Sequence, residues 1–191
     1  INRELIARGA DRGATEATID HDGTIVESHT RGTIVAYEGT RGDQPLVAVW
    51  AEERLVLADE FRAGNVAGGE DPLSSVKRAL ANLPPWITRR RFRADSAAYD
   101  TPLLKHLVAE HVGFAISADM TKDLRTCCLM VPAERWTALD TREREQVDLA
   151  EVEFTPGDWP RSAERLRYVA LRFMPLQAEL FEERGPSYQA V

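Results

Sequence analysis

The chain's apolar positions fall first into strand-like runs and then into an alternation of helical and strand-like segments. Residues 16 to 26, Glu-Ala-Thr-Ile-Asp-His-Asp-Gly-Thr-Ile-Val, are rich in Thr, Ile and Val and predict a strand that runs into a loop around Ser28 to Gly42. Leu46-Val47-Ala48-Val49-Trp50 is a near-continuous apolar run of buried-strand length, and Leu55-Val56-Leu57-Ala58 is a second. The four residues between them are too few for a crossover helix, so the two runs read as an antiparallel hairpin. Gly64-Asn65 and Gly68-Gly69 mark a loop. Asp71-Pro72 then supplies a capping acid and a proline at the first helical position. Leu73, Val76, Ala79, Leu80 and Leu83 follow at helical spacing, and Pro84-Pro85 stops the helix. Arg91 to Asp95 reads as a short strand. Asp100-Thr101-Pro102 starts another helix with Leu103, Leu104, Leu107 and Val108 on one face, Gly113 ends it, and Phe114 to Ser117 is the next strand.

A hairpin meander followed by alternating helices and strands predicts an α/β fold, a mixed sheet with helices on its faces. This is the order of a ribonuclease-H-like domain, although other mixed sheets share it. Beyond it, residues 120 to 148 read as helical and charged. Glu151 to Phe154 and Arg167 to Phe173 read as strands, separated by a turn at Pro156-Gly157-Asp158-Trp159-Pro160. The expected organisation is an N-terminal extension over 1–14, a first part of the core over 15–119, an inserted helix and β region over 120–186, and the start of a truncated core strand over 187–191. The chain begins at Ile1 and ends on Tyr188-Gln189-Ala190-Val191, and both ends read as cut.

Composition narrows the class. A length of 191 residues, 43% hydrophobic and 29% charged, suits one ordinary domain with a real core. No apolar run is long enough to span a bilayer, and no secretory signal opens the chain, so no membrane partner is expected. The two adjacent cysteines, Cys127 and Cys128, lack metal-ligand spacing and read as reduced thiols of a cytoplasmic protein. A net charge of -7 disfavours a dedicated DNA-binding module but leaves room for a catalytic domain with an acidic site.

The candidate chemistry is acidic. In Asp20-His21-Asp22-Gly23-Thr24 the alternation of a strand puts Asp20 and Asp22 on one face and His21, read as packed, on the other. By spacing alone Asp22 reads as the solvated acid of an Asp-Gly turn, and Asp95 alone reads as a helix cap. If their strands are neighbours, the two carboxylates converge at one end of the sheet and need a shared proton or a divalent cation. Hard oxygen ligands suit Mg²⁺ or Mn²⁺, and two such ions roughly 3.5–4 Å apart can activate water or a 3′-hydroxyl and stabilise a leaving phosphodiester oxygen. Arg89, Arg90 and Arg91, with Lys105 on the following helix, are candidate contacts to DNA phosphate or else solvated surface. Arg41-Gly42-Asp43 reads as loop, and Trp50, Trp86, Trp136 and Trp159 as core or edge residues.

From about Thr18 onward the chain resembles bacterial insertion-sequence transposases of the DDE group-1 type. The resemblance rests on Thr18 to Thr24, on Gly42-Asp43-Gln44-Pro45-Leu46-Val47-Ala48-Val49, on Phe61-Arg62-Ala63-Gly64-Asn65-Val66 and on Arg93-Ala94-Asp95-Ser96-Ala97-Ala98-Tyr99. It implies a ribonuclease-H-like core, cleavage and joining of transposon DNA, Mg²⁺ or Mn²⁺ as cofactor, and paired assembly, hence a dimer, for a full-length protein. By motif match Asp22 is the first metal-binding acid and Asp95 the second, with Asp20 as a further or alternative ligand. The family's third acid, a Glu on a later helix, has no counterpart here. Glu179, Glu182 and Glu183 precede the strand it should follow and read as a solvated stretch. Two other readings stay open: an inactive transposase remnant, and a nuclease of the same fold without strand transfer. A small-molecule metal hydrolase is disfavoured by the lack of a His-rich metal motif.

Overall fold

The structure, a computed structural model, describes residues 2–24, 26–28, 34–35, 41–63, 71–142, 145–160, 162–176 and 185–191. It divides into two compact units, Ile1–Ile116 and Ser117–Val191.

The first unit opens with helix α1 (Asn2–Gly9), where the sequence pattern had suggested a polar tail. Ile6 and Ala10 are buried, which gives this short helix a tertiary reason to form. Then come β1 (Glu16–Gly23), β2 (Val26–Glu27), β3 (Ile34–Val35), β4 (Arg41–Asp43), β5 (Leu46–Trp50), β6 (Leu55–Glu60), α2 (Pro72–Asn82), β7 (Arg89–Ala94), α3 (Thr101–Ala109) and β8 (Gly113–Ile116). The strand expected over 16 to 26 is thus split. It leaves the main sheet after Gly23, and Val26–Glu27 pairs instead with β4. Arg41-Gly42-Asp43 is strand rather than loop and lies at the centre of a small sheet ordered β2-β4-β3. The glycine pairs Gly64-Asn65 and Gly68-Gly69 lie outside the described residues.

The main sheet is ordered β6-β5-β1-β7-β8. β1 pairs antiparallel with β5, and β5 with β6, while β1 pairs parallel with β7, and β7 with β8. A meander of three strands with two parallel strands added beside the first is the ribonuclease-H-like arrangement. Buried Ala17, Ile19, His21, Leu46, Ala48, Trp50 and Phe92 occupy one face of this sheet, as the register requires. Helix α2 packs on β5 and β6, and α3 packs on β8 and α2.

The caps that place these helices are the ones the sequence offers. Asp71 accepts from the Ser74 N–H at 3.1 Å, and Asp100 accepts from the Leu103 N–H at 3.1 Å. Pro72 and Pro102 stand in the first turns, where a missing N–H costs nothing. Asn82 Nδ2 donates to the Leu57 carbonyl at 2.8 Å and fixes the end of α2 to β6. Gly113 does not end α3 but begins β8. The reversal is made by His111, which adopts a left-handed conformation with φ 53.

The second unit contains helix α4 (Lys122–Leu129) and strands β9 (Thr137–Thr141), β10 (Glu145–Val152), β11 (Tyr168–Pro175) and β12 (Ser187–Ala190), in one antiparallel sheet ordered β12-β11-β10-β9. The long charged helix expected over 120 to 148 is therefore a two-turn helix followed by strands. Thr121 caps α4 through the Leu124 N–H, whereas Asp148, Ala150 and Val152 are buried at alternate positions, the period of a strand. Ser187–Ala190 pairs with β11 in this sheet, where the sequence had suggested the start of a core strand. Among the described residues no helix is long and apolar enough to cross a membrane.

Candidate active site

The central strand β1 carries Thr18, Asp20 and Asp22 on the face opposite Ile19 and His21, as a period of two demands. Its parallel pairing with β7 sets Asp20 opposite Arg93 and His21 opposite Ala94. That pair is the last of the register, and Asp22 and Asp95 are the residues that follow it, Asp95 in extended conformation with φ -78 and ψ -174. Neighbouring strands lie about 4.8 Å apart, and paired residues of parallel strands share a face. Two aspartates separated by seventy-three positions in sequence thus each follow the last register pair, at the carboxyl end of two central strands. This is the end of an open α/β sheet at which ligands generally bind.

Their surroundings differ. Asp22 is exposed and makes no ion pair among the described residues. Asp95 is exposed too, and its Oδ1 accepts from the Ala97 N–H at 3.0 Å, capping the single turn Ser96–Ala98. The capping and acidic roles of Asp95 are compatible, because one carboxylate oxygen serves the turn and the other is left over. Asp20 is engaged on both oxygens: Arg93 Nε donates to Oδ1 at 2.7 Å and Nη2 to Oδ2 at 2.8 Å. This fork raises the Arg93 guanidinium pKa.

Exposed carboxylates with an oxygen unengaged among the described residues are hard donors of the kind that suits Mg²⁺ or Mn²⁺. Among the described residues no group of three or more His, Cys, Asp or Glu side chains could hold a metal. Glu179, Glu182 and Glu183 lie outside the described residues.

Behind the pair, on the helix-covered face, lies a polar cluster to which sequence reasoning assigned no role. His21 is buried against Phe92, with ring centroids 5.7 Å apart. Burial first, and then the Arg62 charge, push its pKa down to about 4, while Asp95 and Glu60 pull the other way. Arg62 is itself buried and donates from Nε to Glu60 Oε1 at 3.0 Å. Arg78 on α2 donates to the other Glu60 oxygen, and these hydrogen bonds, Arg62's foremost, hold the Glu60 carboxyl below its usual range. The Gln44 N–H donates to the Arg62 carbonyl at 2.8 Å. His21 Nε2, Gln44 Oε1 and Arg62 Nη1 are buried without hydrogen-bond partners among the described residues. The cluster's trace in the sequence is that His21, Gln44 and Arg62 all fall within stretches carrying the transposase resemblance.

The arginine run is not one basic patch. Arg89 and Arg91 face the same side and take one oxygen each of Glu16, at 2.7 and 3.3 Å. Arg90 turns the other way, to Glu110 at 3.6 Å. Lys105 is exposed on α3. Trp50 and Trp159 are buried, as expected of core residues.

No protein family and no curated protein matches the chain. Among solved structures it is similar to a piggyBac transposase, seen by cryo-electron microscopy in a synaptic complex with hairpin DNA, with a TM-score of 0.42 and 13% sequence identity. That similarity covers 93% of this chain and 33% of the other, so the chain spans about a third of that transposase.

Proposed function

We propose that the chain is the part of a DDE transposase catalytic domain that carries the first two metal-holding acids, Asp22 and Asp95. One observation supports the reading: the parallel β1–β7 register runs as far as His21 and Ala94, and the exposed Asp22 and Asp95 are the next residues at the carboxyl end of these central strands. Repulsion between them is relieved by a divalent cation, Mg²⁺ or Mn²⁺. When bound, such ions activate water or a 3′-hydroxyl and stabilise the leaving oxygen of a phosphodiester. The protein's own part is to hold the acids. Asp22 stands on the most enclosed strand of the sheet, and Asp95 is fixed by its hydrogen bond to the Ala97 N–H. Neither acid transfers a proton. DNA, as transposon end and target, is the substrate, and paired assembly belongs to the full-length enzyme.

The test is Mn²⁺ binding by calorimetry. Asp22→Asn and Asp95→Asn each lower the affinity at least tenfold, as expected when one of two carboxylate ligands loses its charge. Unchanged affinity in both rejects the assignment. In a version of the chain completed with a Glu-bearing helix, the same substitutions abolish cleavage of transposon-end DNA. The lack of a third metal-ligating acid among the described residues favours a second reading, an inactive remnant. Reading the coding DNA on the 3′ side of Val191 for an open frame with such a helix separates the two. A strand-transfer assay distinguishes a transposase from a nuclease of the same fold.

A further inference from the structure

Asp20 and Arg93 are a register pair on one face of β1 and β7, each two residues before one of the acids Asp22 and Asp95. They differ from the other cross-strand ion pairs of this face. Glu16 divides its oxygens between Arg89 and Arg91, whereas Asp20 gives both of its oxygens to Arg93 alone. A two-point fork fixes the plane of the guanidinium, so little further freedom is lost when the group meets a second anion. It occupies two of the five N–H groups and leaves three, on a side chain that is 60% exposed. Two residues along a strand span roughly 6–7 Å. From there a long arginine side chain reaches a phosphate beside one held at the acid pair. Asp20, its oxygens committed, is poorly placed to ligate a metal as well.

We infer that Arg93 is a ligand for DNA phosphate next to the acid pair, and that Asp20 is the positioning residue that aims it rather than a third metal ligand. This rests on the reading of Asp22 and Asp95 as metal-holding acids. It turns a pair that is otherwise a surface salt bridge of small energetic worth into part of the substrate track.

The experiment uses the 191-residue chain, with Mn²⁺ binding measured by calorimetry and the affinity for a fluorescein-labelled, mixed-sequence duplex measured by anisotropy across a salt series in Mn²⁺. Asp20→Asn leaves Mn²⁺ affinity within about twofold, unlike Asp22→Asn. Arg93→Gln weakens DNA binding about tenfold and lowers the salt slope by about one. The exchange Asp20→Arg with Arg93→Asp keeps net charge and restores the ion pair but moves the guanidinium to β1. The weakened DNA binding persists in it if Arg93 touches phosphate. Recovery of wild-type affinity in the exchange assigns the pair a structural role and overturns the inference. So does loss of Mn²⁺ binding in Asp20→Asn, or a failure of the unsubstituted chain to bind the duplex. If Asp22→Asn and Asp95→Asn leave Mn²⁺ binding intact, the metal reading itself falls. If they abolish it while Arg93→Gln binds DNA normally, the metal reading stands and only the role of Arg93 is lost.

Discussion

His21 lies between two acids in the chain, yet its ring faces the opposite side of the sheet from both and packs on Phe92. Its Nε2 has no partner among the described residues, so the buried imidazole carries a desolvation cost without a compensating bond. His21→Phe is therefore expected to leave Tm unchanged or raise it, with Mn²⁺ affinity retained. A large fall in either, measured by calorimetry, would contradict a packing role. The alternation of side chains made this orientation legible in advance. The alternation also groups Arg91, Arg93 and Asp95, but only the register shows that Arg93 meets Asp20 rather than solvent.

Local signals at element boundaries acted where a side chain could satisfy its own neighbourhood. The caps Asp71 and Asp100 are examples, and replacing either by Ala is expected to cost about 1 kcal/mol, seen as a Tm lowered by a few degrees. No change in Tm for both would mean that packing alone sets these helix ends. Gly42 works differently: an added Cβ would overlap the Val26 carbonyl oxygen, because β2 crosses close to β4 at that point. Gly42→Ala is expected to break the pairing of the small sheet while sparing the main one. Amide exchange should rise at Val26 and Glu27 and hold at Ile19 and Trp50, and uniform protection would refute this. The boundaries that composition missed, the strands within 137–152 and the left-handed turn at His111, depend on partners distant in sequence or on a rare backbone conformation.

Across the whole molecule the two units carry buried groups that titrate in different ranges. His21 has a folded pKa near 4, below its ordinary 6.5, so its contribution to stability is complete above about pH 6.5 and is lost as pH falls toward 4. Asp148, in the second unit, is buried and accepts from Gln146 and Arg172, which hold its carboxyl below the ordinary 3.8. Its contribution is present above that value and is lost only as pH falls through the lowered one. Acidification is therefore expected to loosen the first unit before the second. Exchange mass spectrometry from pH 7 to 3 would show Ile19 and Phe92 losing protection ahead of Ala150 and Ala170, and the reverse order would refute the expectation. Breaking the Asp148 pair by Arg172→Met leaves a buried carboxylate short of its charge partner, and a loss of about 3–5 kcal/mol confined to the second unit is expected.

From the chain alone came the strand hairpin at Leu46–Ala58 and the helices begun by Asp71-Pro72 and Asp100-Thr101-Pro102, while the choice of Asp22 and Asp95 as candidate acids came only through the transposase resemblance. Each rests on hydrophobic period, capping chemistry or a local motif, and such signals are complete within a dozen residues or fewer. Tertiary structure alone decided that β1 and β7 lie parallel in a register that runs up to the residues just before those acids, that Asp20 is committed to Arg93, that Gln44 and Arg62 are buried with His21, and that Ser187–Ala190 joins β11. The reason is physical. Strand neighbours and register are fixed by burial of whole faces and by hydrogen bonds between segments far apart in the chain, and no local run of residues contains that information.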